Sequence, residues 1–332
     1  MIWSIYLMLG VNMWWEEHQV LPFDDEAWEI IIEEMKKQGL NTIVLDLAEG
    51  IQYKSHPELA KTGAWDYDRV KYEIARLKKM GITIIPKMNF SATHHLWLGE
   101  YRKMMSTKIY YDVCRDLINE VYELFEHPEY IHIGMDEEGN ERILRHQKTF
   151  VSYRKGDLLF HDFNFLRECV ENTGAKLFFW GSFYGDRREE FNAKVDKKDE
   201  LLISTGYYHA FKKEHFKRVK DDPMYIDFYS KPPFCDWNLE YVEDDPALVN
   251  QRKWPKKLIE DGYSVIPTAS TYNHNDYNAD DLVDHYKSIS PKGQIKGFMT
   301  APWIHTTMEN IDEIVKGIRQ LGEAKRKYYP ED

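Results

Sequence analysis

Cysteine is scarce: Cys114, Cys169 and Cys235 are odd in number and far apart, so they provide neither a disulfide framework nor a zinc spacing. They read as small buried hydrophobes. No H-x-H or H-E-x-x-H pair occurs, and the histidines that a metal-dependent barrel hydrolase gathers at its strand ends are missing as a pattern. No metal and no cofactor is expected. Basic charge is in deficit, with a formal net charge of -12 and acids scattered along the chain. That balance argues against nucleic acid as a partner and for a surface kept in solution by charge. No apolar run reaches the roughly 20 residues that span a bilayer, so no membrane partner is expected. Low-complexity segments and flexible linkers are absent as well.

The apolar N-terminus, MIWSIYLMLG, lacks the basic n-region and small-residue cleavage site of a secretion signal and reads as a first strand. Compartment stays open: cytoplasmic if the chain is complete, secreted or periplasmic if a signal has been trimmed. Oligomeric state is not legible.

What the chain does have is aromatic and apolar mass. Hydrophobic residues make up 43% and aromatic residues 14% of 332 positions, ample for a large core and for flat faces that meet a ligand such as a sugar. That length fits two ordinary domains or one large barrel of roughly 250 residues with insertions.

The order of patterns decides between them. SIYLMLGV (4–11) is followed by DDEAWEIIIEEMKKQG, whose acidic start, apolar stripe, basic end and closing Gly39 mark a helix. NTIVLDL (41–47) follows, then the helix YDRVKYEIARLKKMG and the strand ITIIPKM (82–88). The alternation continues through a helix near 108–125, YIHIGM, a helix near 158–172, KLFFWGS, ELLISTG, SVIPTAS and IKGFMTAPW. Eight strands in sequential βα units predict an α/β fold, a single-domain (β/α)8 TIM barrel over 1–332, with an insertion around 207–254. The rival, an open doubly wound sheet, wants a glycine-rich phosphate loop after its first strand; GVNMWWEEH has one glycine and two tryptophans.

Barrel chemistry sits at the C-terminal ends of strands. The candidates there are Asp46 and Glu49, Asn89, His94 and His95, Asp136 and Glu137, Trp180, Tyr272 and Asn273, and Trp303 and His305. In YIHIGMDEEGN (130–140) the period of two sends Ile131, Ile133 and Met135 to the helix layer and His132, Gly134 and Asp136 inward. Asp136 then faces the barrel mouth, Glu137 reaches over it from the loop, and Glu138 is expected at the periphery. Adjacent acids usually form a solvated turn; two carboxylates beside aromatic walls also suit glycoside hydrolysis, and both readings stand at this point. His132 reads as a hydrogen-bonded core residue. NHNDYNADD (273–281) lacks the glycine and terminal glutamate of a calcium loop and reads as Asx turns with a helix N-cap before LVDHY.

Three motifs, in order, resemble one family. IHIGMDE is similar to the HIGGDE signature of family 20 glycoside hydrolases, the β-N-acetylhexosaminidases. NTIVLDLAEGIQYKSHPELAKTGAW resembles that family's strand-two region, and WDYDRVKYEIARLKKMGITIIPKMNFSATHH its strand-three region, so the resemblance covers roughly residues 24–140. It implies a retaining, substrate-assisted glycosidase in which the substrate's own acetamide attacks the anomeric carbon. By that resemblance Asp136 orients the acetamide and Glu137 is the general acid/base. Tyr272 hydrogen-bonds the acetamide, Trp180 and Trp303 pack around the sugar, and Asp46, Asn89 and His94 complete the substrate-binding set.

The chain departs from the family where a strand-one arginine would grip sugar hydroxyls, since LMLGVNMWWEEH has none, and where P-E-I-D becomes Pro86, Lys87, Met88 and Asn89. Two other readings remain: a catalytically silent carbohydrate-binding barrel, and a glycosidase pairing Glu137 with Asp46 or Glu49.

Overall fold

A computed structural model describes residues 1–13, 17–136, 138, 152, 154–185, 187–196, 201–205, 257–271, 276–290 and 293–332. Glu137, Tyr272, Asn273, Cys235 and the insertion expected at 207–254 lie outside the described residues.

Among the described residues eight parallel strands close into a barrel in sequence order: β1 (Ile2–Met8), β2 (Thr42–Asp46), β3 (Thr83–Lys87), β4 (Tyr130–His132), β5 (Lys176–Trp180), β6 (Leu202–Thr205), β7 (Ser264–Ala269) and β8 (Gly297–Thr300). Helices α1 (Asp25–Gln38), α2 (Tyr67–Lys79), α3 (Lys108–Leu124), α4 (Asp157–Thr173), α5 (Ser182–Gly185), α6 (Arg188–Lys194), α7 (Asn278–Ile289) and α8 (Ile311–Tyr328) follow their strands. The (β/α)8 barrel expected from the alternation is the fold observed.

Local sequence explains these elements. Acidic Asp25 and Glu26 open α1, Lys36 and Lys37 close it, and Gly39 ends it at φ 74°, complementing the helix dipole and supplying the left-handed cap. Asp66 caps α2 by accepting from the Arg69 N–H, and Thr107 caps α3 through Tyr110. The helix start expected before LVDHY lies at Asn278. Tyr277 stands at the N-cap of α7 and makes no side-chain capping bond to the helix, and Asn278, inside the helix, accepts from the Ser270 N–H at 2.7 Å. That bond ties the β7 exit to the helix start.

Period two sorts the strands into two apolar layers. Ile5, Leu7, Ile43, Leu45, Ile131 and Ile133 face the helices, while Tyr6, Met8, Val44, Ile85, Phe178, Trp180, Ile266 and Met299 fill the barrel. Cys114 and Cys169 are buried between elements, as small hydrophobes should be. Parallel register sets Asp46 beside both Met8 and Lys87, and Lys87 beside His132, so residues from four strands meet at one level of the mouth.

β4 stops earlier than the run YIHIGM suggests. After His132, Gly134 (φ 77°) and Met135 (φ 62°) take left-handed backbone, and the chain bends out of the strand. Glycine is required at 134, because a Cβ there would lie 1.9 Å from Asn89 Oδ1. Met135 thus holds a backbone conformation uncommon for a non-glycine residue, immediately before Asp136.

Candidate active site

The barrel mouth is lined by Tyr6, Met8, Val11, Asn12, Met13, Asp46, Asn89, His94 and Trp97, drawn from the exits of β1, β2 and β3. Asp136 joins them from the β4 exit. Its Oδ1 lies 2.7 Å from Ser91 Oγ and accepts from Asn89 Nδ2 at 3.1 Å, and its Oδ2 lies 3.6 Å from His94 Nε2. The Asp136 backbone N–H donates to Ser91 Oγ at 2.8 Å, fixing main chain and side chain from one residue. Burial pushes this carboxyl up, yet His94, Lys87 and the bonds from Ser91 and Asn89 outweigh it and hold it below the usual carboxylate range. Asp136 is therefore an oriented, ionised carboxylate in the mouth.

Below it lies a cation that the strand-three departure introduces. Lys87, fully buried, pairs with Asp46 Oδ2, which also accepts from the Tyr6 hydroxyl at 2.8 Å. Asp46 Oδ1 is buried without a hydrogen-bond partner. Lys87 also lies over the rings of Tyr6 and Trp180, 5.3 and 5.9 Å from their centroids.

Aromatic rings adjoin this pair. Tyr6 and Trp303 stand 4.9 Å apart, Trp180 and Trp303 5.2 Å, and Tyr6 and Trp180 6.0 Å. Trp303 is half-buried and adopts φ 57°, an unusual backbone for a large residue. Trp180 is 1% exposed and packs on His132, so it backs Trp303 from inside the barrel.

The histidines separate by environment. His94 joins Asp136, with Thr93 Oγ1 2.8 Å from its Nδ1. His95 is buried beside it and pushed down to about 3 by desolvation and by the charges of Arg154 and Arg102, so it stays neutral. His132 accepts from the Gly134 N–H at 2.9 Å and is the core residue expected. His305 lies against His18, with ring centroids 5.2 Å apart.

Glu49 is completely buried under the β1 loop, where its Oε1 accepts from the Val11 and Asn12 N–H groups at 2.8 and 2.9 Å. Desolvation raises it to about 7, with Asp46 adding to the effect. It supports the wall of the mouth from behind.

Glu138 is a correction. Expected at the periphery, it is buried, and its carboxylate meets Arg154 at 2.7 Å and the Ala92 N–H at 2.8 Å. The two left-handed residues before Asp136 end the strict alternation, so period two does not reach residue 138.

Sequence reading thus located Asp46, Asn89, His94, Asp136, Trp180 and Trp303, all of which gather at this end of the barrel. It missed Tyr6, Ser91 and the pairing role of Lys87. Tyr6 carried a signal, since alternation along β1 places it inward with Met8. Among the described residues no group of three His, Cys, Asp or Glu side chains is arranged to hold a metal, and no helix is long and apolar enough to cross a membrane.

No protein-family model and no curated protein matches the chain. Solved structures do. A β-N-acetylhexosaminidase from Bacteroides fragilis NCTC 9343 aligns over 96% of this chain and 65% of its own, at 15% identity and a TM-score of 0.60. The GH20 β-N-acetylhexosaminidase from Streptomyces coelicolor A3(2) aligns over 96% and 64%, at 11% identity and 0.60. An inactive mutant of the GH20 exo β-N-acetylglucosaminidase from Vibrio harveyi aligns over 96% and 54%, at 12% identity and 0.58. The chain spans about half to two thirds of the length of these proteins. The likeness first visible in residues 24–140 thus extends, as a likeness of fold, over nearly the whole chain: its closed barrel resembles the structures of GH20 β-N-acetylhexosaminidases.

Proposed function

We propose that the chain is a glycoside hydrolase acting on β-linked N-acetylhexosaminides by a retaining, substrate-assisted mechanism. The observation that carries this reading is Asp136: an ionised carboxylate, fixed by Ser91, Asn89 and His94, at a barrel mouth with an aromatic wall.

In this mechanism the substrate's acetamide oxygen attacks the anomeric carbon as the glycosidic bond breaks. Asp136 accepts the acetamide N–H and balances the positive charge that develops on the resulting ring. Glu137 protonates the departing oxygen and then takes a proton from the water that opens the ring. The protein supplies no nucleophile, which is why adjacent carboxylates suffice. Tyr272 hydrogen-bonds the acetamide, and Trp303, backed by Trp180, packs on the sugar. Asp46 and Asn89 accept or donate to its hydroxyls.

The scheme that pairs Glu137 with Glu49 as a second working carboxylate is weaker, because Glu49 is buried and occupied by two backbone N–H groups. A silent, carbohydrate-binding barrel has one observation in its favour. Where sugar hydroxyls would be gripped from strand one, the described lining carries no charged side chain, only Tyr6, Met8, Gly10, Val11, Asn12 and Met13.

Turnover of an aryl N-acetyl-β-hexosaminide separates these readings. The proposed enzyme hydrolyses it and Glu137→Gln does not; unchanged turnover in Glu137→Gln removes the assigned acid. Glycan binding by calorimetry with no turnover over long incubation selects the silent barrel.

A further inference from the structure

We infer that Glu138, paired with Arg154, is a positioning residue that fixes the chain immediately beyond the Asp136–Glu137 pair, so that both residues flanking Glu137 are held. The inference rests on reading Asp136 and Glu137 as the reacting carboxylates. General acid catalysis depends on holding the proton donor within hydrogen-bonding reach of the leaving oxygen, and anchoring the residues on either side of the donor serves that precision.

Both neighbours are anchored, and by the same segment. On the near side, the Asp136 N–H donates to Ser91 Oγ at 2.8 Å and the Asp136 carboxylate accepts from Asn89 at 3.1 Å. On the far side, Glu138 Oε1 accepts from the Ala92 N–H at 2.8 Å and from Arg154 at 2.7 Å. The Glu138 carbonyl accepts from Arg187 at 3.3 Å. Residues 88–92 leave the barrel alongside 132–136, with Met88 and Phe90 N–H groups donating to the His132 and Ile133 carbonyls. Asn89, Ser91 and Ala92 then grip the two residues that flank Glu137.

Arg154 connects this clamp to the helix layer. Its guanidinium donates to the Phe90 carbonyl at 2.9 Å and meets Asp162 of α4 at 3.3 Å. Asp162 in turn accepts from Ser106 at 2.6 Å and from Tyr111 of α3. Glu138 and Arg154 side chains are each 1% exposed. A buried ion pair is a poor device for stability, since apolar residues of similar volume serve as well, but it fixes the relative placement of the elements it joins. Here the joined elements are the β4 exit, the β3 exit and two helices.

Glu138→Gln tests the clamp, because it preserves shape and the acceptor for Ala92 while removing the charge that holds Arg154. Two readouts are taken on the full chain: steady-state kinetics with an aryl N-acetyl-β-hexosaminide, and amide hydrogen exchange of the peptide spanning residues 132–138. The expected result is a fall in kcat of about 10- to 100-fold with KM changed by no more than about twofold. Exchange at 132–138 should accelerate while β1 to β3 stay protected. If Glu138→Gln folds poorly, Arg154→Lys, which keeps the charge but loses the fork, should show the same split more weakly. Unchanged kcat and unchanged exchange at 132–138 overturn the inference, as does acceleration spread evenly over the barrel. A wild-type chain that hydrolyses no N-acetylhexosaminide would overturn the reaction assignment, and the exchange comparison would still decide the clamp by itself.

Discussion

Ser91 and Asp136 are joined twice: the hydroxyl accepts the Asp136 backbone N–H at 2.8 Å and stands 2.7 Å from its carboxylate. One small residue of the β3 exit thereby fixes the path of the chain and adds to His94 and Lys87 in holding the carboxyl's pKa down. Ser91→Ala removes a bond that lowers the Asp136 pKa, so that pKa rises. If ionised Asp136 is required, activity is present above its pKa and lost as pH falls through it. The acid limb of the kcat profile should therefore move to higher pH in Ser91→Ala, with kcat at the optimum down about tenfold. A pH–rate profile reads both; an unmoved acid limb counts against the assignment.

Gly134 and Gly81 offer a matched comparison. Both have left-handed backbone, φ 77° and 76°, but a Cβ at 134 would meet Asn89 Oδ1 at 1.9 Å and one at 81 meets nothing within 4 Å. Gly81→Ala should cost about 1–2 kcal/mol from backbone strain alone. Gly134→Ala should cost about 1–3 kcal/mol more from overpacking and also impair activity by displacing Asn89. Urea titration of both variants provides the difference. Equal losses would mean that Asn89 moves aside freely.

Lys87 and Asp46 form a buried pair whose members depend on each other. Lys87→Met leaves Asp46 charged and uncompensated, at a cost of about 3–5 kcal/mol. Asp46→Asn added to it removes that charge and keeps an acceptor for Tyr6, so the double variant should be more stable than Lys87→Met alone. A double-mutant cycle by urea unfolding measures the coupling, and additive losses would contradict it.

Glu49 makes stability pH-dependent. Its carboxyl is raised from 4.5 to about 7 in the folded chain, so folding binds a proton more tightly than the unfolded chain does. The sign follows: ionising Glu49 destabilises the fold, with no penalty below about pH 4.5 and a growing one as pH rises to about 7. That elevation amounts to about 3 kcal/mol at the upper limit. Glu49→Gln, which still accepts from Val11 and Asn12, should match wild type near pH 4 and exceed it at pH 8. Parallel stability curves for the two proteins would contradict this.

Much of the architecture was legible because it follows from short-range rules. Acidic starts, basic ends and Gly39 delimit α1, and period two along β1 to β3 assigns inner and outer faces. Asp136 was found for the same reason, although β4 ends at His132 and left-handed Gly134 and Met135 carry the chain the rest of the way. Glu138 was misplaced because its partner, Arg154, lies on the far side of residues 139–153 and nothing local predicts their meeting. Lys87 was visible only as a departure from a family motif. Its meaning needed the β2–β3 register, which puts it beside Asp46.

The central claim is that the substrate's acetamide is the nucleophile and Asp136 its orienter. It is tested most directly by inhibition with N-acetylglucosamine thiazoline, which mimics the ring that such a reaction forms. The account predicts competitive inhibition of aryl N-acetyl-β-hexosaminide hydrolysis, weakened in Asp136→Ala. Hydrolysis that proceeds undisturbed by the thiazoline would contradict it.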